Sequence, residues 1–421
     1  MPKNSINNFL LSLLSLITVY GNGSLIKTAS PYIFHFTAFS LFVLYIFVNK
    51  NLVKVKPAVI SIIVMTFLSS AINISNNINI SNLFSFSFYL VLFSVITSKH
   101  KYILLDKISN IIHVLVIISI IFKIVLFAFP SLWSIIPITK NIPQYPAYYN
   151  VLVFTQNTAS TLRNQGIYWE PGAWAVNQII AYYWLIIIRK RYNLLIYFTL
   201  SMILTLSTSG MILFIIMLLY LLIYEKSFRE KYRTKIFILS LIIVSFFSQL
   251  IYKNYQLFDL SYIFLANTFD KYESLIKFRP LKDYYSKDYY VSTYNEWGSF
   301  EDRLHTYAVA YYDTKKKPFF GLGRVEGSYP ATIYQTSTFG QIMIQHGFVY
   351  LFLWYFLFFR AFIFKSNLFK IIFILILTYA EPYAFGTIYI LLIVIGANIK
   401  KFKVINDYLA SSNKKVKFML S

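Results

Sequence analysis

Apolar residues run along this chain in long blocks, and the polar positions fall mostly between them. Twelve blocks read as membrane-spanning helices, near 6–20, 32–48, 57–72, 83–98, 108–129, 173–188, 193–207, 210–224, 236–252, 337–359, 368–384 and 386–399. At 1.5 Å of rise per helical residue, such blocks match a hydrocarbon layer about 30 Å thick. A helix on the surface of a soluble domain would instead return polar residues every three or four positions. The predicted architecture is all-α and polytopic: an integral membrane protein of about twelve transmembrane helices with two large loops on the outer face.

The connections divide the chain. N-terminal transmembrane helices occupy 1–129, the first large loop 130–172, central transmembrane helices 173–252, the second large loop 253–336, C-terminal transmembrane helices 337–399, and a basic cytoplasmic tail 400–421. Pro130, Pro137, Pro143, Pro146 and Pro171 hold the first loop out of regular helix. The second carries ten acidic and eleven basic residues, with length enough for helices of its own. Loops this long act as lids or binding surfaces when they are ordered. The first 22 residues have the layout of a signal peptide, but the spans behind them favour an uncleaved first helix.

Composition narrows the class. Hydrophobic residues make up 57% of the 421 positions and charged residues 13%, about half the usual share in a soluble domain. A net charge of +23 suggests nucleic acid until its distribution is followed. With the N-terminus inside, alternate connections hold Lys50, Lys54 and Lys56; Lys99, Lys101 and Lys107; Arg189, Lys190 and Arg191; Lys226, Arg229, Lys231, Arg233 and Lys235; and Arg360, Lys365 and Lys370. Together with Lys3 and the tail lysines, these are 24 of the 39 basic residues, against four acidic ones. That asymmetry places both termini in the cytoplasm and leaves the excess charge for anionic lipid heads. Spread over separate loops, it excludes a nucleic-acid face. The absence of cysteine, and five histidines with no paired spacing, argue against a zinc site; neither metal nor cofactor is expected.

Polar chemistry is concentrated in a few places. Arg163-Asn-Gln-Gly166-Ile-Tyr-Trp-Glu170-Pro171-Gly172 sets an arginine and a glutamate at the mouth of a span, where lipid excludes charge. Pro171 suits a first helical turn, and Glu170 beside it faces the positive end of the helix dipole. The segment reads either as a helix cap with a local salt bridge or as an anion grip plus a carboxylate. A second cluster runs through Glu301-Asp302-Arg303-Leu304-His305 to Lys315-Lys316-Lys317-Pro318-Phe319-Phe320-Gly321-Leu322-Gly323-Arg324, with a helix expected over 302–316 and a tight turn after it. Arg303 and Arg324, on opposite sides of that turn, can clamp a diphosphate; alternatively Arg303 pairs with Glu301 or Asp302 on a solvated surface. Ser207-Thr208-Ser209-Gly210 reads as a helix cap or packing contact before it reads as a phosphate site. His305 and His346 are candidate general bases, each weighed against a hydrogen-bonded structural histidine. Lys123 should snorkel or face the bundle, and Glu381-Pro382 closes the eleventh span at the outer face. Gly321-Leu322-Gly323 lacks the strand–turn–helix context of a nucleotide site.

At these residues the chain resembles the Wzy-type O-antigen and capsule polymerases, relatives of the O-antigen ligases. The resemblance rests on Arg163-x-x-Gly166-x-x-x-Glu170-Pro171, on Ser207-Thr208-Ser209-Gly210 between two spans, and on Arg303 followed by Pro318-Phe-Phe-Gly321-Leu-Gly323 before a span opening at Ser337 and reaching Gly347. It covers roughly residues 105–360. It implies a glycosyltransferase C-like inner-membrane enzyme that polymerises undecaprenyl-diphosphate-linked oligosaccharide repeat units without a metal. Its partners would be that lipid-linked substrate, membrane lipids and a chain-length regulator. The same resemblance makes Arg163, Arg303 and Arg324 diphosphate ligands and leaves the base open among Glu170, His305 and His346. Trp169-Glu170-Pro171-Gly172 is similar to the polymerases, whereas a histidine near the second loop is usual in the ligases. A ligase is the alternative reading. A flippase or transporter is a more distant one, because transporters gather polar residues at the bilayer midplane.

Overall fold

Peptide groups inside hydrocarbon have no water to bond, so an apolar block satisfies them internally as a helix. The computed structural model describes residues 3–232 and 307–398, apart from positions 23, 25–26, 28–29, 50–54, 74–79, 101, 140–146, 159–162, 169, 313, 316, 324–336 and 381–385. Its helices are α1 (Lys3–Gly21), α2 (Pro31–Asn49), α3 (Pro57–Ile72), α4 (Ile80–His100), α5 (Ile103–Ala128), α6 (Pro171–Tyr182), α7 (Leu195–Thr205), α8 (Thr208–Tyr224), α9 (Thr338–Ala361), α10 (Asn367–Ala380) and α11 (Thr387–Asn398). Each apolar block among the described residues is helical apart from its end residues; the block at 236–252 lies outside them. Among the described residues, four helices are long and apolar enough to cross a membrane: Pro31–Asn49, Ile103–Ala128, Pro171–Ile188 and Thr338–Ala361. A fifth is Ser209–Tyr224 taken together with Lys226–Tyr232, across a bend of 100°.

The centre of the bundle is α6. It continues as a π-helix over Tyr183–Ile188, and the whole run is buried. It packs against α5, α7, α8 and α10. On the other side of the molecule α9 packs against α3, α10 and α11, and α1 bridges α2, α5 and α11. Aromatic contacts fill the seams: Tyr182 stacks on Phe198 at 4.4 Å, and Trp354 on Phe358 at 4.5 Å. Lipid-facing positions stay apolar, as on α2, where Tyr32, Phe36 and Phe47 are exposed.

One departure from an all-helical reading lies in the first large loop. Residues Pro130–Ile135 form a 3-10 turn, and Ile138–Thr139, Tyr148–Val151 and Phe154–Asn157 form a small antiparallel sheet, β1 to β3 in chain order. Prolines exclude helix here, and Tyr148-Tyr149-Asn150-Val151 is rich in residues that suit a pleated surface. The sheet seats on the end of α5: Phe154 stacks on Phe122 at 5.3 Å, and the Lys123 ammonium donates to Gln156 Oε1 at 2.8 Å. Lys123 thus faces protein, not lipid.

Basic connections that the sequence assigns to one face meet at one end of the bundle. Arg189 pairs with Asp106 at 3.1 Å, and Asp106 also accepts from Trp184 Nε1 at 2.6 Å. Glu225 pairs with Lys190 at 2.6 Å and Lys365 at 3.3 Å, tying the α6–α7 and α9–α10 connections to the end of α8. The Glu225 side chain is 8% exposed and its lysines 45% and 58%. Water therefore screens the cations more than the acid. Glu225→Gln is expected to lower stability by on the order of 1 kcal/mol, less at high salt, read as a drop in melting temperature of the purified protein. An unchanged melting temperature at low salt would mean that the pair contributes nothing.

Candidate functional site

Two polar constructions occupy the opposite end of the bundle. The first is the segment leading into α6. Arg163 donates through Nε to Thr205 O at 3.3 Å and through Nη2 to Leu206 O at 3.4 Å, so its guanidinium caps the C-terminus of α7. A cation there meets the negative end of the helix dipole. Asn164 donates to Ser119 Oγ at 3.1 Å and its side chain accepts from Gly166 N at 3.0 Å. The chain then turns tightly: Gly166 sits at φ +57°, and a Cβ there would lie 2.4 Å from the Trp174 indole. Tyr168 is buried, its phenol donating to Val19 O at 2.9 Å; burial, and then the nearby Tyr20, push its ionisation well up. Glu170 is the half-buried N-cap of α6, with extended backbone and no side-chain capping bond, ahead of Pro171 at the first helical position.

Below it, Trp174 and Gln178 follow Glu170 at four-residue spacing and share its helix face. Gln178 is wholly buried, and neither of its amide atoms meets a partner among the described residues. The adjacent Asn177 accepts from Asn22 Nδ2 at 2.7 Å, which links α6 to the turn after α1. In that turn Lys27 donates to Gly21 O at 2.9 Å, and burial pushes its ammonium down to about 8. Ser207 proves to be an N-cap, accepting from Gly210 N at 3.3 Å, while Gly210 packs on Ala175 of α6. Arg163 meets this turn at the C-terminus of α7, through the carbonyls of Thr205 and Leu206.

The second construction is a break in α9. Gly347 takes φ 77° and ψ −175°, which interrupts the helix one residue after His346. The break releases backbone groups that the 314–323 segment satisfies. Thr314 Oγ1 donates to Met343 O at 3.2 Å, Leu322 N to Ile344 O at 2.7 Å, and Gly323 N to Gln345 O at 3.2 Å. Phe348 N donates in turn to Pro318 O at 2.8 Å. Gly321 and Gly347 meet backbone to backbone, a Cβ on either lying 2.6 Å from a main-chain nitrogen near the other. The motif read as Pro318-Phe-Phe-Gly321-Leu-Gly323 is thus the piece that repairs a broken span.

His346 lies in this junction, 8% exposed. Its Nδ1 is hydrogen-bonded to Ser69 Oγ of α3, and its ring lies 4.5 Å from that of Tyr350. Asn73, the C-cap of α3, donates to Ser69 O at 2.8 Å and to Gly321 O at 3.3 Å, and accepts from Lys317 Nζ at 3.3 Å. Sequence reasoning missed Ser69, Asn73 and Gln178. Each sits within or at the end of an apolar block with no charged neighbour to mark it. Residues 307–312 are helical, as expected for part of 302–316. Arg303, His305, Arg324, Trp169 and Glu381-Pro382 lie outside the described residues. Among the described residues, no group of three or more His, Asp or Glu is arranged to hold a metal ion.

A family model described as O-Antigen ligase matches residues 193–355, less than half of the chain, which is consistent with the O-antigen polymerase/ligase superfamily. That range contains Arg303, His305, Arg324 and His346 and stops short of Arg163 and Glu170. The matched family comprises membrane glycosyltransferase-like enzymes that act on lipid-linked glycans. No curated protein and no solved structure matches.

Both glycines at the break are open to test. Gly347→Ala and Gly321→Ala each force a methyl into backbone and an L-residue to positive φ, at a cost of about 1–3 kcal/mol. The expected result is lower abundance in the membrane and faster proteolysis near 314–323. Wild-type abundance and cleavage rate in both variants would refute the close approach.

Proposed function

We propose that this chain is a membrane glycosyltransferase that polymerises undecaprenyl-diphosphate-linked oligosaccharide repeat units into O-antigen or capsular polysaccharide. In this reading it has about twelve spans in the bacterial inner membrane, both termini in the cytoplasm, and its site at the periplasmic face. The observation that carries the glycosyltransferase class, shared by polymerase and ligase, is the family match over 193–355, which includes the broken helix and the loop that repairs it. Further support comes from the clustering of basic connections at one end of the bundle and of the Arg163–Glu170 segment at the other. The pattern Trp169-Glu170-Pro171-Gly172 favours the polymerase branch. The description of the matched family favours a ligase, which would move the finished glycan onto lipid A-core.

The step is a block transfer. A hydroxyl of the acceptor repeat unit attacks the anomeric carbon of the donor glycan; the new C–O bond forms as the bond to diphosphate breaks. Polyprenyl diphosphate leaves with the bonding electron pair, and the hydroxyl proton passes to a base. Arg163, Arg303 and Arg324 stabilise the charge developing on the diphosphate, a role that needs no metal. Arg163 reaches the carbonyls of Thr205 and Leu206 at 3.3 and 3.4 Å, long bonds that a diphosphate oxygen can displace. We assign the base to His346. Glu170, the N-cap of α6 ahead of Pro171, is assigned to orienting the acceptor hydroxyl. His305 is the remaining candidate.

A deletion strain complemented with single-site variants tests the reading through its glycan ladder. Deletion should leave single-repeat products; polymer accumulating on undecaprenyl diphosphate would identify a ligase instead. Arg163→Ala and Arg303→Ala should each reduce the rate on the order of 100-fold at normal protein abundance. Normal long chains from either variant would sink the diphosphate assignment.

A further inference from the structure

The last turns of α3 touch the α9 break at three successive points on one helix face. Thr66, Ser69 and Asn73 recur at spacings of three and four, which puts them on a single stripe. Thr66 Oγ1 donates to the Tyr350 phenol at 3.1 Å, Ser69 holds His346, and Asn73 holds Gly321 and Lys317. All three are at most 2% exposed. A stripe of this kind could merely glue α3 to α9, but then any hydroxyl or small residue packed against α9 would do. Here each side chain selects a different part of the junction: the aromatic floor, the imidazole and the loop.

We infer that the last turns of α3 form the positioning element of the site, with Ser69 fixing the His346 ring and Asn73 setting the 317–323 loop against it. The chemistry follows from the hydroxyl. Ser69 Oγ lies 3.4 Å from Thr66 O one turn back, and a serine inside a helix donates its single proton to such a carbonyl. We assign the Ser69 proton to that carbonyl, so that its lone pair accepts from His346 Nδ1–H and the basic lone pair of the imidazole is held on Nε2. Without Ser69 the Nδ1 edge of the ring loses this hydrogen bond. Asn73 completes the arrangement by spending both ends of its amide across the junction. Its Nδ2 binds the loop carbonyls and its Oδ1 the Lys317 ammonium, so the loop residue immediately before Arg324 is anchored beside α3.

The inference rests on the assignment of His346 as base. Its test uses the full-length protein reconstituted in liposomes, with radiolabelled undecaprenyl-diphosphate-linked repeat units extracted from cells that lack it. Ser69→Ala should lower kcat about tenfold with KM and melting temperature unchanged, since a misoriented base slows the chemical step and not binding. Ser69→Thr, which restores the oxygen, should recover most of that loss. Should Ser69→Ala fail to accumulate, Ser69→Cys, close in size and a weak acceptor, carries the same expectation as Ser69→Ala. Inactive His346→Gln together with an undiminished kcat in Ser69→Ala overturns the positioning role and leaves the base assignment standing. Full turnover in His346→Gln overturns the base assignment, and the role of Ser69 with it. A loss in Ser69→Ala that tracks a lowered melting temperature and is not recovered by Ser69→Thr marks Ser69 as packing only, and likewise overturns the inference.

Discussion

Hydrocarbon tolerates no unpaired peptide group, and the break in α9 is where this protein meets that rule most directly. A helix that stops and restarts within a span frees carbonyls on one side and amides on the other, each costing several kcal/mol if left bare in lipid. The loop from Thr314 to Gly323 supplies the missing partners one by one. Broken backbone at such depth persists only where protein or a polar cavity surrounds it. A break that is this fully repaired therefore marks a place where irregular backbone is retained in spite of its cost. The residue carried on its edge is His346, next to the glycine whose φ makes the break.

The rest of the bundle keeps that junction in place. At one end, Asp106 and Glu225 gather three basic residues from two connections and fix the ends of α5, α6, α8 and α9 relative to one another. At the other end neutral amides perform the same task. Asn22 joins Asn177 to the backbone of Ile388, and Thr387 bonds back to Thr18, so α1, α6 and α11 are pinned without charge. On this side Arg163 reaches the carbonyls of Thr205 and Leu206, and Lys317 the amide oxygen of Asn73.

Much of this was legible in the sequence because hydrophobic blocks and turn residues are local signals. Helix positions, the capping role of Ser207 and the entry of α6 at Pro171 all follow from neighbours in the chain. The small sheet in the first loop was not foreseen. The prolines said only that helix was excluded, and the pairing of Tyr148–Val151 with Phe154–Asn157 depends on a seat against α5. The α3 stripe was illegible for a different reason. Serine, threonine and asparagine are ordinary within apolar helices, where their own backbone can satisfy them, and nothing at positions 66, 69 or 73 announces partners nearly 250 or more residues away.

That distance bears on how glycine motifs in membrane proteins should be read. Gly321 and Gly347 look unrelated in the chain: one belongs to a Pro/Gly turn after a lysine run, the other interrupts an apolar block. In space each occupies the room that a side chain on the other would need, and each has a backbone angle that suits glycine. Neither residue can be explained alone, since the turn exists to meet the break and the break is tolerable only because the turn meets it. The pair thus couples the second large loop to the interior of α9 through main-chain contacts, without relying on any side chain to transmit the connection. A substrate that moved the loop would move the carbonyls of Ile344 and Gln345 and, with them, the histidine that follows.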